Sequence, residues 1–406
     1  MRKYCILLGL IFVATVSSQP AWAELNYRGS VSVGQEYNDN VNETSHPKSD
    51  FITLLSPAIQ AEYATSRILA SIDYQGEFRK YDNGQRQDEM INNLEAKINM
   101  QVVKDVLAVE ASDSNHMVFT NAAQGQTRSA DSTVDQTNQN ISTFAAILTP
   151  HIADRTQTKF GVMTKEALYS GGSDTVDKNT HTVYLDVLHE LTSKLEAGVN
   201  VQAERQLTTQ RDLNRYLASV VARYTYKEDC FVFGRIGAVE TVPDSGSDTL
   251  MPIWSAGLTH TLGKTAIILE SQGDYVDNPT SVYNSFRALY SATVTHAFDR
   301  AKVSANTGYS DFSGQDTTHS NDFTIGAQLE YELTSRLTAM ISASRVNTIT
   351  SSNSVVRSYG TGELRYQLPK EFGVKVYYRH KINDSYNTND TSYLVNIVGL
   401  SLTKAF

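Results

Sequence analysis

Apolar and polar residues alternate with a period of two along most of this chain, and turn-forming residues interrupt the alternation at a regular interval. Leu195, Ala197, Val199, Val201 and Ala203 fall on one side of an extended run, and Glu196, Gly198, Asn200, Gln202 and Glu204 on the other. Farther along, Phe372, Val374, Val376 and Tyr378 alternate with Gly373, Lys375, Tyr377 and Arg379. Successive side chains of a strand point to opposite faces, so these runs predict strands with one apolar and one polar face.

Short turns are expected at Thr65-Ser66, Lys104-Asp105, Ala153-Asp154, Thr192-Ser193, Lys227-Glu228, Gly263-Lys264, Asp299-Arg300, Thr334-Ser335 and Pro369-Lys370. Most lie 35 to 40 positions apart, and one interval is 49. The turn sequence Glu190-Leu191-Thr192-Ser193-Lys194-Leu195 recurs as Glu332-Leu333-Thr334-Ser335-Arg336-Leu337, with the variant Ala64-Thr65-Ser66-Arg67-Ile68 near the start. Longer polar segments fall between the turns, the longest at Asn115–Gln136. Each interval then holds two membrane strands of about 10 residues, one tight turn and one longer loop. Nine short turns and ten longer loops give twenty strands, with eighteen as the alternative because the first strand and one hairpin alternate weakly. The expected fold is all-β: a transmembrane antiparallel β-barrel with short periplasmic turns, longer extracellular loops and both termini in the periplasm.

The chain ends agree with that reading. Arg2-Lys3, the apolar run Ile6–Val16 and the small residues of Ala21-Trp22-Ala23 have the order of a secretory signal, expected to be cleaved after Ala23. That leaves one barrel domain over 24–406, and because a strand-like segment begins at Asn26, no plug domain is expected. At the other end, Phe406, Lys404, Leu402, Leu400 and Val398 share a face. This resembles the C-terminal signal read by the barrel-assembly machinery, with Lys404 where an apolar residue is usual. A lysine there can lay its stem along an apolar band and keep its charge at the headgroups. The expected surroundings are outer-membrane lipid and lipopolysaccharide.

Composition narrows the picture further. After the signal no stretch of 18 apolar residues remains, so the chain has no candidate membrane helix. Tyrosines (22) and phenylalanines (14) suit strands and aromatic girdles, for which Tyr37, Tyr63, Tyr81, Tyr169, Tyr224, Tyr226, Tyr275, Tyr331 and Tyr366 are candidates. Only Cys230 remains after cleavage, which excludes an internal disulfide or a cysteine zinc site. The net charge of −9 gives no reason to expect nucleic acid. Catalytic patterns are absent: His189-Glu190 is followed by Ser193 where a zinc protease needs histidine, and there is no nucleophile elbow or phosphate loop. No enzyme activity, cofactor or metal is expected.

If the polar strand faces line a wet lumen, charged residues there are tolerated. Candidates for the lumen or its rims are Arg205, Arg215, Arg223, Arg235, Arg345, Lys375, Tyr377 and Arg379, joined by Glu196, Glu204, Asp73, Glu77 and Glu95. Arg128 and Asp131 belong to the longest loop, which either folds inward to narrow the lumen or stays outside.

The segment Gln35-Glu36-Tyr37-Asn38-Asp39-Asn40-Val41, then Ser56-Pro57-Ala58, Leu69–Tyr74 and Phe78-Arg79-Lys80-Tyr81, resembles a family of β-barrel porins. The family includes the outer-membrane proteins associated with PEP-CTERM/exosortase systems. Tyr37, Asp39, Asn40, Ser56 and Pro57 carry the match, which covers roughly the first 80 residues. The resemblance implies an outer-membrane role in exopolysaccharide or capsule export or surface assembly, alongside polysaccharide-export components, and implies no catalytic residues. Tyr377 could then stack on sugar rings and arginines pair with uronate carboxylates. A diffusion porin for small solutes and a structural barrel with a filled lumen are the alternatives.

Overall fold

The computed structural model describes residues 24–120, 136–171, 175–283, 285–314, 319–350, 354–386 and 392–406. The signal segment and its cleavage site lie outside these residues, as do Arg128 and Asp131. The strands are β1 (Glu24–Asn38), β2 (Asp50–Ala64), β3 (Ile68–Tyr81), β4 (Glu89–Val103), β5 (Leu107–Phe119), β6 (Gln136–Leu148), β7 (His151–Ala153), β8 (Thr156–Ser170), β9 (Lys178–Thr192), β10 (Leu195–Thr208) and β11 (Leu213–Lys227). They continue as β12 (Cys230–Pro243), β13 (Thr249–Leu262), β14 (Thr265–Val276), β15 (Ser285–Ala297), β16 (Ala301–Ser313), β17 (His319–Thr334), β18 (Leu337–Thr350), β19 (Ser354–Gln367), β20 (Phe372–Ser385) and β21 (Tyr393–Ala405). β7 is a three-residue piece in a turn, and the other twenty close into one antiparallel barrel. Each strand pairs with its chain neighbours, and β1 pairs with β21 from Ser30↔Ala405 to Asn38↔Ile397.

All nine expected turns join hairpins. The recurring Thr-Ser turn has a local cause. The Thr192 hydroxyl accepts hydrogen bonds from the Lys194 and Leu195 amides at 3.2 and 3.0 Å. Thr334 does the same for Arg336 and Leu337, and Thr65 for Arg67 and Ile68. A threonine that folds back on amides two and three positions on makes the reversal with its own side chain. The longest loop is shorter than its sequence suggests, because β5 runs on to Phe119.

Alternation sets the two faces. Val33 opposes Leu402, Val162 opposes Val183, and Leu329 opposes Ile341, and all six side chains are exposed. In water each such group would forgo roughly 1.5–3 kcal/mol of burial. In a bilayer the same ring is the lipid-facing band. Tyr37, Tyr224, Tyr331 and Tyr366 sit on this face near strand ends, as a girdle requires. Tyr81 and Tyr169 do not: both turn inward and are buried, because polar and apolar loop groups fill the mouth beside them.

Two local features were encoded by single residues. Pro57 lacks the amide that would pair with β3, and the β2–β3 ladder breaks between Leu55↔Phe78 and Ala58↔Gln75 while β1–β2 pairing continues through Val31↔Pro57. Aromatic rings lie across the strand from glycines at Tyr184/Gly161, Phe233/Gly257, Trp254/Gly273 and Tyr377/Gly399, where an added Cβ would strike the ring.

Candidate functional site: the lumen and its mouth

Twenty strands about 4.8 Å apart and tilted about 40° enclose a backbone ring roughly 40 Å across. Side chains alone do not fill such a space, so the residues that line and cross it set how open it is.

One wall gathers charge around an aromatic ring. β20 turns Lys375, Tyr377 and Arg379 inward, opposite outward Val376 and Tyr378. The Tyr377 hydroxyl donates to Glu36 of β1, and Arg379 approaches the same carboxylate at 3.6 Å. Lys375 and Arg379 flank the Tyr377 ring at 5.1 and 4.6 Å from its centroid. Arg79 pairs with Glu77 at 2.5 Å on β3. These side chains, with Ser30, Ser32 and Gln75, border a cavity of about 550 Å³. Tyr377 is only 4% exposed, so its ring is a strut between two cations and not an open face for a sugar.

Above this wall, the first loop folds into the mouth. Val41 packs with inward Ile52, Leu54 and Tyr81, which explains apolar residues on a lumen face. Glu43, in a left-handed conformation at φ 53°, reaches Lys381 at 2.9 Å and accepts from the Tyr393 hydroxyl at 2.9 Å. The motif residues Asp39 and Asn40 fasten the ends of the barrel together. Asp39 accepts from the Asn396 amide and side chain, each at 2.7 Å, and the Asn40 side chain donates to the Leu394 carbonyl at 3.1 Å. Tyr37 and Pro57 face outward, and Ser56 faces the cavity.

On the opposite part of the mouth, a second loop reaches inward. After β14, residues 277–283 leave the wall and reach back to β6, β8, β9 and β10. Asp277 meets Lys178 at 2.5 Å and accepts from the Tyr169 hydroxyl at 2.8 Å and from Gln139 at 3.5 Å. Lys178 also donates to the Asn278 carbonyl at 2.8 Å, Gln206 donates to the Val282 carbonyl at 2.7 Å, and the Val176 amide to the Pro279 carbonyl at 2.8 Å. Tyr283 accepts from Arg211. Burial alone would push the Asp277 carboxyl up. Lys178 and Lys165, with the hydrogen bonds from Lys178 and Tyr169, outweigh it and hold the carboxyl below its ordinary range. This is a polar latch that ties a loop across the mouth.

The other sequence candidates are dispersed. Arg215 pairs with Glu204 and donates to Gln206 at 2.9 Å, under the latch. Arg235 donates to Ser219 at 3.0 Å, and Arg223 lies 4.2 Å from the Phe231 ring near the periplasmic end. Glu196, Asp73 and Glu95 share inward faces with Asn200, Gln75 and Lys97. Arg345 is a correction: it opposes exposed Ile325 and lies on the outward face with Ile341 and Ile349, because alternation outranks charge. Arg205 is another: it opposes His181 and Asn214 on the outward face. Whether the loop around Arg128 and Asp131 folds inward falls outside the described residues. Sequence reasoning missed Lys178, Asp277, Glu43 and Lys381. Only Asn278-Pro279, a turn-forming pair in a short loop, hinted that the segment was special.

The fold is that of outer-membrane β-barrels. The copper transporter OprC superposes with a TM-score of 0.50 at 9% identity, covering 95% of this chain and 81% of that one. OpdQ of Pseudomonas aeruginosa matches with a TM-score of 0.43 at 11% identity over 94% of this chain and 99% of that one. The FrpB iron transporter of Neisseria meningitidis gives 0.47 at 10%, over 94% and 81%. No family model and no curated protein matches the sequence.

Proposed function

We propose that the chain is an outer-membrane channel-like barrel serving export or surface assembly of an exopolysaccharide or capsule, with segment 277–283 latched across its mouth. The Asp277–Lys178–Tyr169 latch supports the channel part of this reading. It holds a loop across a wide, charge-lined lumen by polar contacts and not by a packed apolar core. The polymer part rests on the motif resemblance carried by Tyr37, Asp39, Asn40, Ser56 and Pro57. In this reading the signal ending at Ala23 directs secretion, β21 ending at Phe406 engages the barrel-assembly machinery, lipid and lipopolysaccharide surround the outward face, and polysaccharide-export components deliver the cargo.

A diffusion porin for small solutes is the second reading, favoured by the cavity of about 550 Å³ beside Arg79, Lys375 and Arg379, a volume on the scale of a small ligand. The test is surface and periplasmic polymer in a strain lacking the protein. Surface polymer lost, polymer held in the periplasm, and recovery with the intact gene support export. Unchanged polymer in both places leaves the solute porin or a structural barrel.

A further inference from the structure

At the mouth end of the wall, three inward side chains on neighbouring strands each leave a polar atom unpaired. Arg215 of β11 opposes Thr241 of β12, and Thr241 opposes Thr249 of β13. Arg215 and Thr241 are 8% and 3% exposed. The guanidinium donates from its two terminal nitrogens to Glu204 and Gln206, and its Nε has no acceptor among the described residues. The Thr241 and Thr249 hydroxyls have no partner among them either. The Tyr275 hydroxyl of β14 comes close to Thr241, but neither is aligned for a hydrogen bond, and the Tyr275 ring lies 6.0 Å from the Arg215 guanidinium. Buried polar groups are normally paired, so four in one place call for a partner that the chain does not supply.

A cavity of about 480 Å³ lies against Thr241 and Thr249, a volume on the scale of a small ligand. Its other lining comes from Thr280, Ser281, Val282 and Tyr283 of the latched segment and from Gln210 of the β10–β11 loop. Arg211 fixes Tyr283 by donating to its hydroxyl and lies 5.8 Å from its ring centroid. Gly246, at φ 120°, turns the β12–β13 loop beside Pro243 and Arg211.

The lining selects a class of ligand. Hydroxyl and side-chain amide groups both donate and accept, which suits a molecule that carries several hydroxyls. Pro243, Val282 and Tyr283 supply apolar surface beside them. The positive charges are already met: Arg215 pairs with Glu204 and Arg205 with Asp212, and Asp244 and Asp248 stand on the loop next to Arg211. We propose that this cavity is a binding site for a neutral sugar. The sugar hydroxyls pair with Arg215 Nε and the threonine hydroxyls, and its ring carbons lie against Val282 and Tyr283. A bound sugar thereby bridges segment 277–283 to the wall of β11–β13. The site depends on the mouth loops alone and not on which cargo the barrel passes.

The test is titration calorimetry of the full mature barrel in lauryldimethylamine oxide, a detergent without a sugar headgroup. Maltose, cellobiose, lactose and mannobiose are the neutral probes and digalacturonate the anionic one. At least one neutral disaccharide is expected to bind with a Kd of about 1 mM or tighter, and digalacturonate about tenfold more weakly or not at all. Thr241→Val removes an unpaired hydroxyl and keeps the shape, so denaturant stability should hold or rise while sugar binding weakens about tenfold. Thr249→Val repeats the measurement from a second strand, and Tyr283→Ala removes the aromatic surface with the same loss. A longer oligomer of the disaccharide that binds separates two sources: equal affinity assigns a unit of a chain, and loss of affinity assigns a free sugar. No binding of any neutral disaccharide, so that water alone fills the cavity, overturns the proposal. Binding that survives Thr241→Val, Thr249→Val and Tyr283→Ala, or a preference for digalacturonate, overturns it equally. Sugar binding by a barrel without conductance supports the site and removes the channel reading instead, and conductance without sugar binding does the reverse.

Discussion

Lys178 and Asp277 stand 99 positions apart in the chain and meet at 2.5 Å inside the mouth of the barrel. Lys178 begins β9, whereas Asp277 follows β14, so the pair spans five strand positions of the wall. Its partners Tyr169 and Gln139 come from still other strands. The ion pair and these two hydrogen bonds together tie the loop to β6, β8 and β9.

The pH dependence of that tie has a definite sign. The Asp277 carboxyl is held below its ordinary value of 3.8, so it binds fewer protons folded than unfolded. Its contribution is fully present above about pH 4 and is lost as the pH falls through the lower folded value. Conductance in planar bilayers is expected to be flat between about pH 5 and 7 as far as this group governs it, and to rise only below about pH 4. Opening centred near pH 6 would assign the latch to a histidine instead.

At the other wall, Gly399 leaves room for Tyr377, whose hydroxyl reaches Glu36. Gly399→Ala places a methyl group into the ring and is expected to lower stability by about 1–3 kcal/mol through overpacking. Denaturant unfolding in detergent or lipid measures it. Gly373→Ala, where an added Cβ meets nothing within 4 Å, is the control and should change little.

The Thr-Ser turns yield a graded prediction. Thr192→Ala and Thr334→Ala each remove an acceptor for two amides at an exposed turn, and a loss of about 1 kcal/mol or less is expected for each. The two sites are far apart in the sheet, so the double variant should show the sum. Replacement by serine should retain most of the stability.

Asn40 is 1% exposed and its side chain bridges the first loop to the start of β21. Asn40→Leu leaves the Leu394 and Thr44 carbonyls without this donor. It is expected to cost about 1–3 kcal/mol and to speed hydrogen exchange first at the β1–β21 seam. Uniform loss of protection around the barrel would contradict a seam-specific role.

Much of the architecture could be read along the chain because its causes are local. Turn residues such as Thr192 and Gly263 act within a few positions, and runs such as Leu195–Ala203 expose their period directly. The C-terminal face from Val398 to Phe406 is outward as the count by twos implies, and Lys404 reaches back to Glu371 at 3.1 Å over the Phe372 ring. Arg345 and Arg205 show where charge misleads. Counting by twos from Ile341 or from Ala203 places each arginine outside, yet its charge argued for the lumen. The latch left no pattern, because Lys178, Tyr169 and Asp277 become neighbours only once the barrel has closed.

Single-channel conductance of the wild type and of Asp277→Ala tests the central claim most directly. Removing one partner of a buried pair costs about 3–5 kcal/mol, enough to free segment 277–283 from the mouth. A small or infrequently open wild-type conductance, with Asp277→Ala at least twofold larger or open far more of the time, is the predicted result. Identical traces, or no conductance from either protein, would contradict a channel whose mouth is held by the Lys178–Asp277 latch.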